Sequence, residues 1–135
     1  MKSLTVPAKT EYVDEINDFV GQELEAYDCP VNVRVQIELA IEEIFVNTAS
    51  YAYHPVEGEA EIRCDILQDP LRVELQFLDS GKPYDPLAKE DADTSVEALE
   101  EREGGLGILL IKKTMDDMKY VYENGKNILT IRKKL

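Results

Sequence analysis

The period of the apolar residues changes along this chain, and that change limits what it can fold into. From residue 11 to 53 apolar side chains recur every three or four positions. From 59 to 78, and again from 118 to 133, they alternate. Val13, Ile16, Phe19, Val20 and Leu24 predict a helix over residues 11–27, with Thr10 as its N-cap and Cys29-Pro30 as its break. A second helix is expected over 32–53, stopped by His54-Pro55. Residues 59–67 and 71–78 predict a hairpin that turns on Gln68-Asp69-Pro70. Ile62, Cys64 and Ile66 share one face of it with Val73, Leu75 and Phe77.

A short strand is expected over 2–6. Residues 84–103 carry many acids and little periodicity, and they read as a loop of functional length. A third helix follows over 106–117, then strands over 118–123 and 127–133 joined by Asn124-Gly125, a strong hairpin turn. The order β-α-α-β-β-loop-α-β-β lacks regular βαβ alternation. It predicts an α+β domain: a two-layer α/β sandwich, its mostly antiparallel sheet covered by helices on one face. The 135 residues suit one domain, and 44% hydrophobic content can supply its core.

Charge excludes some functions. Twenty-eight acidic against 15 basic residues give a net charge of -13, which repels nucleic acid phosphates. A nucleotide site on such a chain needs a divalent ion, backbone N–H groups or a helix N-terminus to offset the field. No apolar run is long enough to span a bilayer, and the first six residues lack the core of a signal peptide. A cytoplasmic location is therefore expected, with Cys29 and Cys64 as free, buried thiols.

Three short patterns carry the chemistry. On the second helix, Glu43 and Asn47 are one turn apart at the margin of the stripe formed by Ile37, Ile41, Ile44, Thr48 and Tyr51, while Glu38 and Glu42 face solvent. A carboxylate and an amide so stacked can hold hydrated Mg²⁺ and position a hydroxyl; an ordinary polar helix surface has the same spacing. Asp79-Ser80-Gly81 ends an apolar strand. Asp79 suits an exocyclic amine and Gly81 a close flat ring, and a simple Asp/Gly turn reads identically. Gly104-Gly105-Leu106-Gly107 opens the third helix, which fits either phosphate binding or tight packing of the helix on the sheet. His54, the only histidine, sits just before Pro55 in a position that suits a helix end, and no Ser-His-Asp or Cys-His set is evident.

In this order the three patterns resemble the N, G1 and G2 boxes of the GHKL ATPases, which include gyrase and the sensor histidine kinases. Glu42-Glu43-Ile44-Phe45-Val46-Asn47, Asp79-Ser80-Gly81-Lys82-Pro83-Tyr84-Asp85-Pro86 and the run from Gly104 to Ile111 look most like the small anti-sigma-factor serine kinases of bacteria. The resemblance implies the Bergerat fold, ATP and Mg²⁺ as cofactors, and phosphoryl transfer to a serine of an anti-anti-sigma protein. It implies Asn47 as the Mg²⁺ ligand, Glu43 as general base and Asp79 with Gly81 at adenine. Gly105, Leu106 and Gly107 would lie at the phosphates, with 84–103 as the ATP lid. A sigma factor is the implied second partner. A homodimer through the first strand and helix is compatible with their apolar residues, as is core packing. Tyr51 stands where many of these kinases carry His, and Lys89 and Arg102 are the only cations of the lid segment.

Overall fold

The structure, a computed structural model, describes residues 1–52, 58–87 and 105–135. Strand β1 (Lys2–Pro7) leads through a one-turn 3-10 helix (Thr10–Tyr12) into α1 (Val13–Glu25). Helix α2 (Val31–Asn47) ends in a widened π turn (Thr48–Ala52). Strands β2 (Glu59–Leu67) and β3 (Arg72–Asp79) form the hairpin; α3 (Gly105–Thr114), β4 (Asp117–Glu123) and β5 (Lys126–Lys134) complete the described chain.

The five strands lie in the order β1-β2-β3-β5-β4, and every neighbouring pair is antiparallel. Alternation decides the faces. Ile62 pairs with Phe77, Cys64 with Leu75 and Ile66 with Val73, so both strands turn the same side inward. Leu129 and Ile131 of β5 continue that side. Ile16, Val20 and Leu24 of α1, with Ile37, Ile41, Ile44 and Phe45 of α2 and Ile108 and Ile111 of α3, close over it in one core. The apolar residues of β1 and α1, notably Val6, Ile16 and Val20, are consumed by this packing. Each fully buried side chain of this size contributes about 1.5–3 kcal/mol relative to exposure.

Several boundaries differ from the sequence reading. Thr10 opens the 3-10 turn and caps nothing, and α1 starts at Val13 with no side-chain cap. Regular α2 ends at Asn47: the Thr48 hydroxyl donates to the Ile44 carbonyl at 3.1 Å, and the Thr48 N–H is shared between Ile44 and Phe45. Such i−4 back-bonding loosens a helix end. Helix α3 stops at Thr114, because β4 begins at Asp117 to pair with Arg132 of β5. The tight β4–β5 turn has Asn124 and Gly125 at φ 54° and 75°, the doubly positive geometry that this dipeptide tolerates. Residues 53–57, including His54-Pro55, and 88–104, most of the expected lid, lie outside the described residues. Cys64 is buried and Cys29 half-buried, both as free thiols.

Candidate functional site

One end of the core opens into a small cavity of about 50 Å³ between the two layers. The end of α2 supplies Ile44, Asn47 and Thr48, and Ile108 comes from α3. Phe77, Asp79, Tyr120, Asn127 and Leu129 come from the sheet, and Lys82, Tyr84 and Pro86 from the segment after β3. Asn47 is the last residue before the π turn; such widened turns are frequent at functional sites. The apolar walls with few polar groups are the usual make-up of a small-molecule site.

Asp79 is held at the cavity by donors on one oxygen. Its Oδ1 accepts from the Gly81 N–H at 3.0 Å and from Asn127 Nδ2 at 2.9 Å. Gly81 thus shapes the turn that orients Asp79. Asn127, directly across from Asp79 on β5, is the one buried polar residue among those described. Its Nδ2 also donates to the Lys82 carbonyl at 2.8 Å, and its Oδ1 accepts from the Tyr84 N–H at 3.1 Å and from the Tyr120 hydroxyl. Burial pushes the Tyr120 phenol above its ordinary value. The Tyr84 N–H pulls it down, and the Asp85 and Asp79 carboxylates push it further up. The phenol therefore stays protonated and donates at neutral pH.

Sequence reasoning named Asp79 and Asn47, which the structure brings to one cavity. It missed Asn127, Tyr120 and Lys82. Asn127 left a readable signal: a polar residue at a core-facing position of the alternating run Asn127, Leu129, Ile131.

Glu43 is placed differently. It lines a second, almost wholly apolar groove between α2 and α3 with Leu39, Ala40, Gly107, Leu110 and Ile111. A Cβ on Gly107 would stand 1.9 Å from Glu43 Oε2, so any larger residue there would force the Glu43 side chain to shift. The close packing at Gly107 is thus against Glu43 of α2, not against the sheet. Gly105 and Leu106 form the first turn of α3. Among the described residues no group of three His, Cys, Asp or Glu side chains is set to hold a metal ion. Among them, too, no helix is long and apolar enough to cross a membrane.

Known proteins resemble this chain in sequence and in fold. The family of histidine kinase-like ATPase domains matches residues 6–133. Serine-protein kinase RsbW of Oceanobacillus iheyensis is 30% identical over 132 residues, covering 93% of this chain and 82% of its own length. RsbW of Listeria innocua is 29% identical over 139 residues, covering 94% and 83%. The solved structure of Acinetobacter baumannii histidine kinase AdeS superposes with a TM-score of 0.52 over 99% of this chain and 68% of its own. At 14% identity that likeness is one of fold. With its antiparallel sheet under the three described helices and a family match over nearly its whole length, the chain belongs to the histidine kinase-like ATPase domain family.

Proposed function

We propose that this chain is a Mg²⁺-ATP-binding regulator of the anti-sigma type, a serine/threonine protein kinase whose substrate is an anti-anti-sigma protein and whose other partner is a sigma factor. The observation that carries the nucleotide reading is the shared cavity of Asp79 and Asn47, 32 residues apart in sequence, between apolar walls from both layers. The similarity to kinases named RsbW carries the choice of serine as acceptor.

The residues present fit both groups. Asp79 offers an oxygen acceptor to the exocyclic amine of adenine, and Ile44, Ile108 and Leu129 offer faces to its ring. Asn47 offers one neutral oxygen to Mg²⁺, an ion that keeps several waters and takes the rest of its ligands from phosphate. When bound, Mg²⁺ supplies neutralisation of phosphate charge. Lys82 sets a cation at the cavity, against the field of a chain with net charge -13. The first turn of α3, Gly105 to Gly107, presents backbone N–H groups to phosphate oxygens. Glu43, one turn before Asn47, accepts the proton of the attacking serine hydroxyl once its side chain turns out of the α2–α3 groove toward the cavity.

A second reading has its own observation. The Glu43 carboxylate packs against Gly107 in the α2–α3 groove, apart from the cavity that Asn47 lines. A Glu43 that stayed there would leave a module that binds nucleotide and switches partners without transfer. Labelled ATP with a serine-bearing partner separates the two. Kinase activity predicts a phosphoserine product, with Glu43→Ala retaining nucleotide and losing about 10²–10⁴-fold in transfer. Nucleotide binding with no phosphoprotein would assign the chain to the second class.

A further inference from the structure

We propose that Asn127 is a positioning residue that sets the site's preference at the six-position of a purine, by holding Asp79 as an acceptor toward the cavity; this rests on the reading of Asp79 as the base contact. The hydrogen-bond pattern around Asn127 admits one orientation of its amide. The Tyr84 backbone N–H can only donate and the Lys82 carbonyl can only accept, so Oδ1 faces Tyr84 and Nδ2 faces Lys82. A flipped amide would set like against like at both contacts. With the amide locked, Nδ2 must donate to Asp79 Oδ1 as well, and the Tyr120 hydroxyl occupies the remaining lone pair of Oδ1 of Asn127.

Asn127 thereby uses both donors and both acceptors inside the protein, and at 6% exposure it has little surface for a ligand. Its effect passes through Asp79. Two N–H groups, from Gly81 and Asn127, converge on one Asp79 oxygen and fix the carboxylate's rotation. The carboxylate then offers electron pairs to the base. An amine at the six-position donates to it, while a carbonyl there sets oxygen against oxygen, which a buried polar site rejects strongly. Lys82 and Tyr84, whose backbone groups Asn127 ties down, line the same cavity, so the amide also fixes the segment that leaves β3.

ADP and inosine diphosphate probe this directly, because they carry an amine and a carbonyl at the six-position. Calorimetry on the full chain should show wild type preferring ADP. Asn127→Asp keeps the shape but replaces both donors with oxygen and sets a like charge against Asp79, so the carboxylate turns away or takes up a proton. The ADP preference should then fall about tenfold or more, the value of one hydrogen bond to a charged group. Tyr120→Phe removes only the hydroxyl that completes the lock, and should move the preference the same way by about two- to fivefold. This milder variant decides the matter if Asn127→Asp folds poorly, as shown by its melting without nucleotide. An unchanged ratio in the folded variants, or equal loss of both nucleotides, would reduce Asn127 to a structural role and overturn the proposal. Wild type with no ADP preference would instead defeat the reading of Asp79 itself, before any variant is made.

Discussion

Gly107 leaves the space that the Glu43 side chain fills: a Cβ there would stand 2.2 Å from the Glu43 Cδ and 2.6 Å from its Cγ. The contact joins the third pattern read in the sequence to the first, since α2 and α3 meet where Glu43 and Gly107 face each other. Gly107→Ala should destabilise by about 1–3 kcal/mol through overpacking. Adding Glu43→Ala should recover much of that loss, because the crowded carboxylate is gone. Urea unfolding of the two single variants and the double variant gives the coupling, expected at about 0.5–3 kcal/mol. Strict additivity would mean that the two residues are not in contact.

Asn47→Ala should weaken ATP binding in Mg²⁺ by about tenfold and leave ADP binding in a chelator nearly unchanged, since it removes one metal ligand and no base contact. Calorimetry with and without Mg²⁺ measures both. An equal loss in the two conditions would point to the cavity wall rather than the metal.

Asp79→Asn should narrow the preference for adenine over guanine nucleotides. The amide can turn a donor toward the guanine carbonyl, which the carboxylate cannot. Competition between ADP and GDP reads the change, and an unaltered ratio would remove Asp79 from base recognition.

Cys64 is buried beside Leu75, and desolvation, with the Glu23 and Asp65 carboxylates adding to it, pushes its thiol up to about 12 from an ordinary 9.0. The Cys64 thiol is neutral in the folded chain at pH 8; burial raises the half-buried Cys29 thiol too, so a thiol reagent should label Cys29 slowly and Cys64 only on unfolding. Because the folded value is the raised one, stability is intact below about pH 9. It should decline as pH rises from there toward 12, where the unfolded thiol ionises and the folded one does not. In Cys64→Ala the alkaline loss should shrink; the same decline in that variant would assign it to other groups.

Leu75→Ala should cost about 2–5 kcal/mol, since Leu75 is fully buried at the centre of the sheet. Val31→Ala, at 79% exposure on the first turn of α2, should stay within about 0.5 kcal/mol. Denaturant midpoints compare them, and similar shifts would be incompatible with the core described.

Element types and faces were legible in the sequence because they rest on local periodicity. Alternation at Ile62, Cys64 and Ile66 and the 3.6 period at Ile37, Ile41 and Ile44 each state which side is apolar, and the core uses those sides. Asn124-Gly125 marked its turn because few other residue pairs accept two positive φ angles. Helix ends were less legible. Thr10 has the chemistry of a cap without the geometry, and α2 leaves the α path at Asn47 although Thr48 to Ala52 show no breaker.

By itself, then, the sequence determined an α+β sandwich with antiparallel strands, and it named Asp79 and Asn47 as residues worth bringing together. Only the tertiary structure decided that they share a cavity, because that needs the end of α2 and the end of β3 to face one space between the layers. It alone set Glu43 against Gly107, 64 positions apart. It alone gave Asn127 its place, 48 residues from Asp79 and 2.9 Å away. Periodicity reports which face of a segment is buried, whereas a hydrogen bond between distant segments depends on strand order and register, which no local pattern encodes.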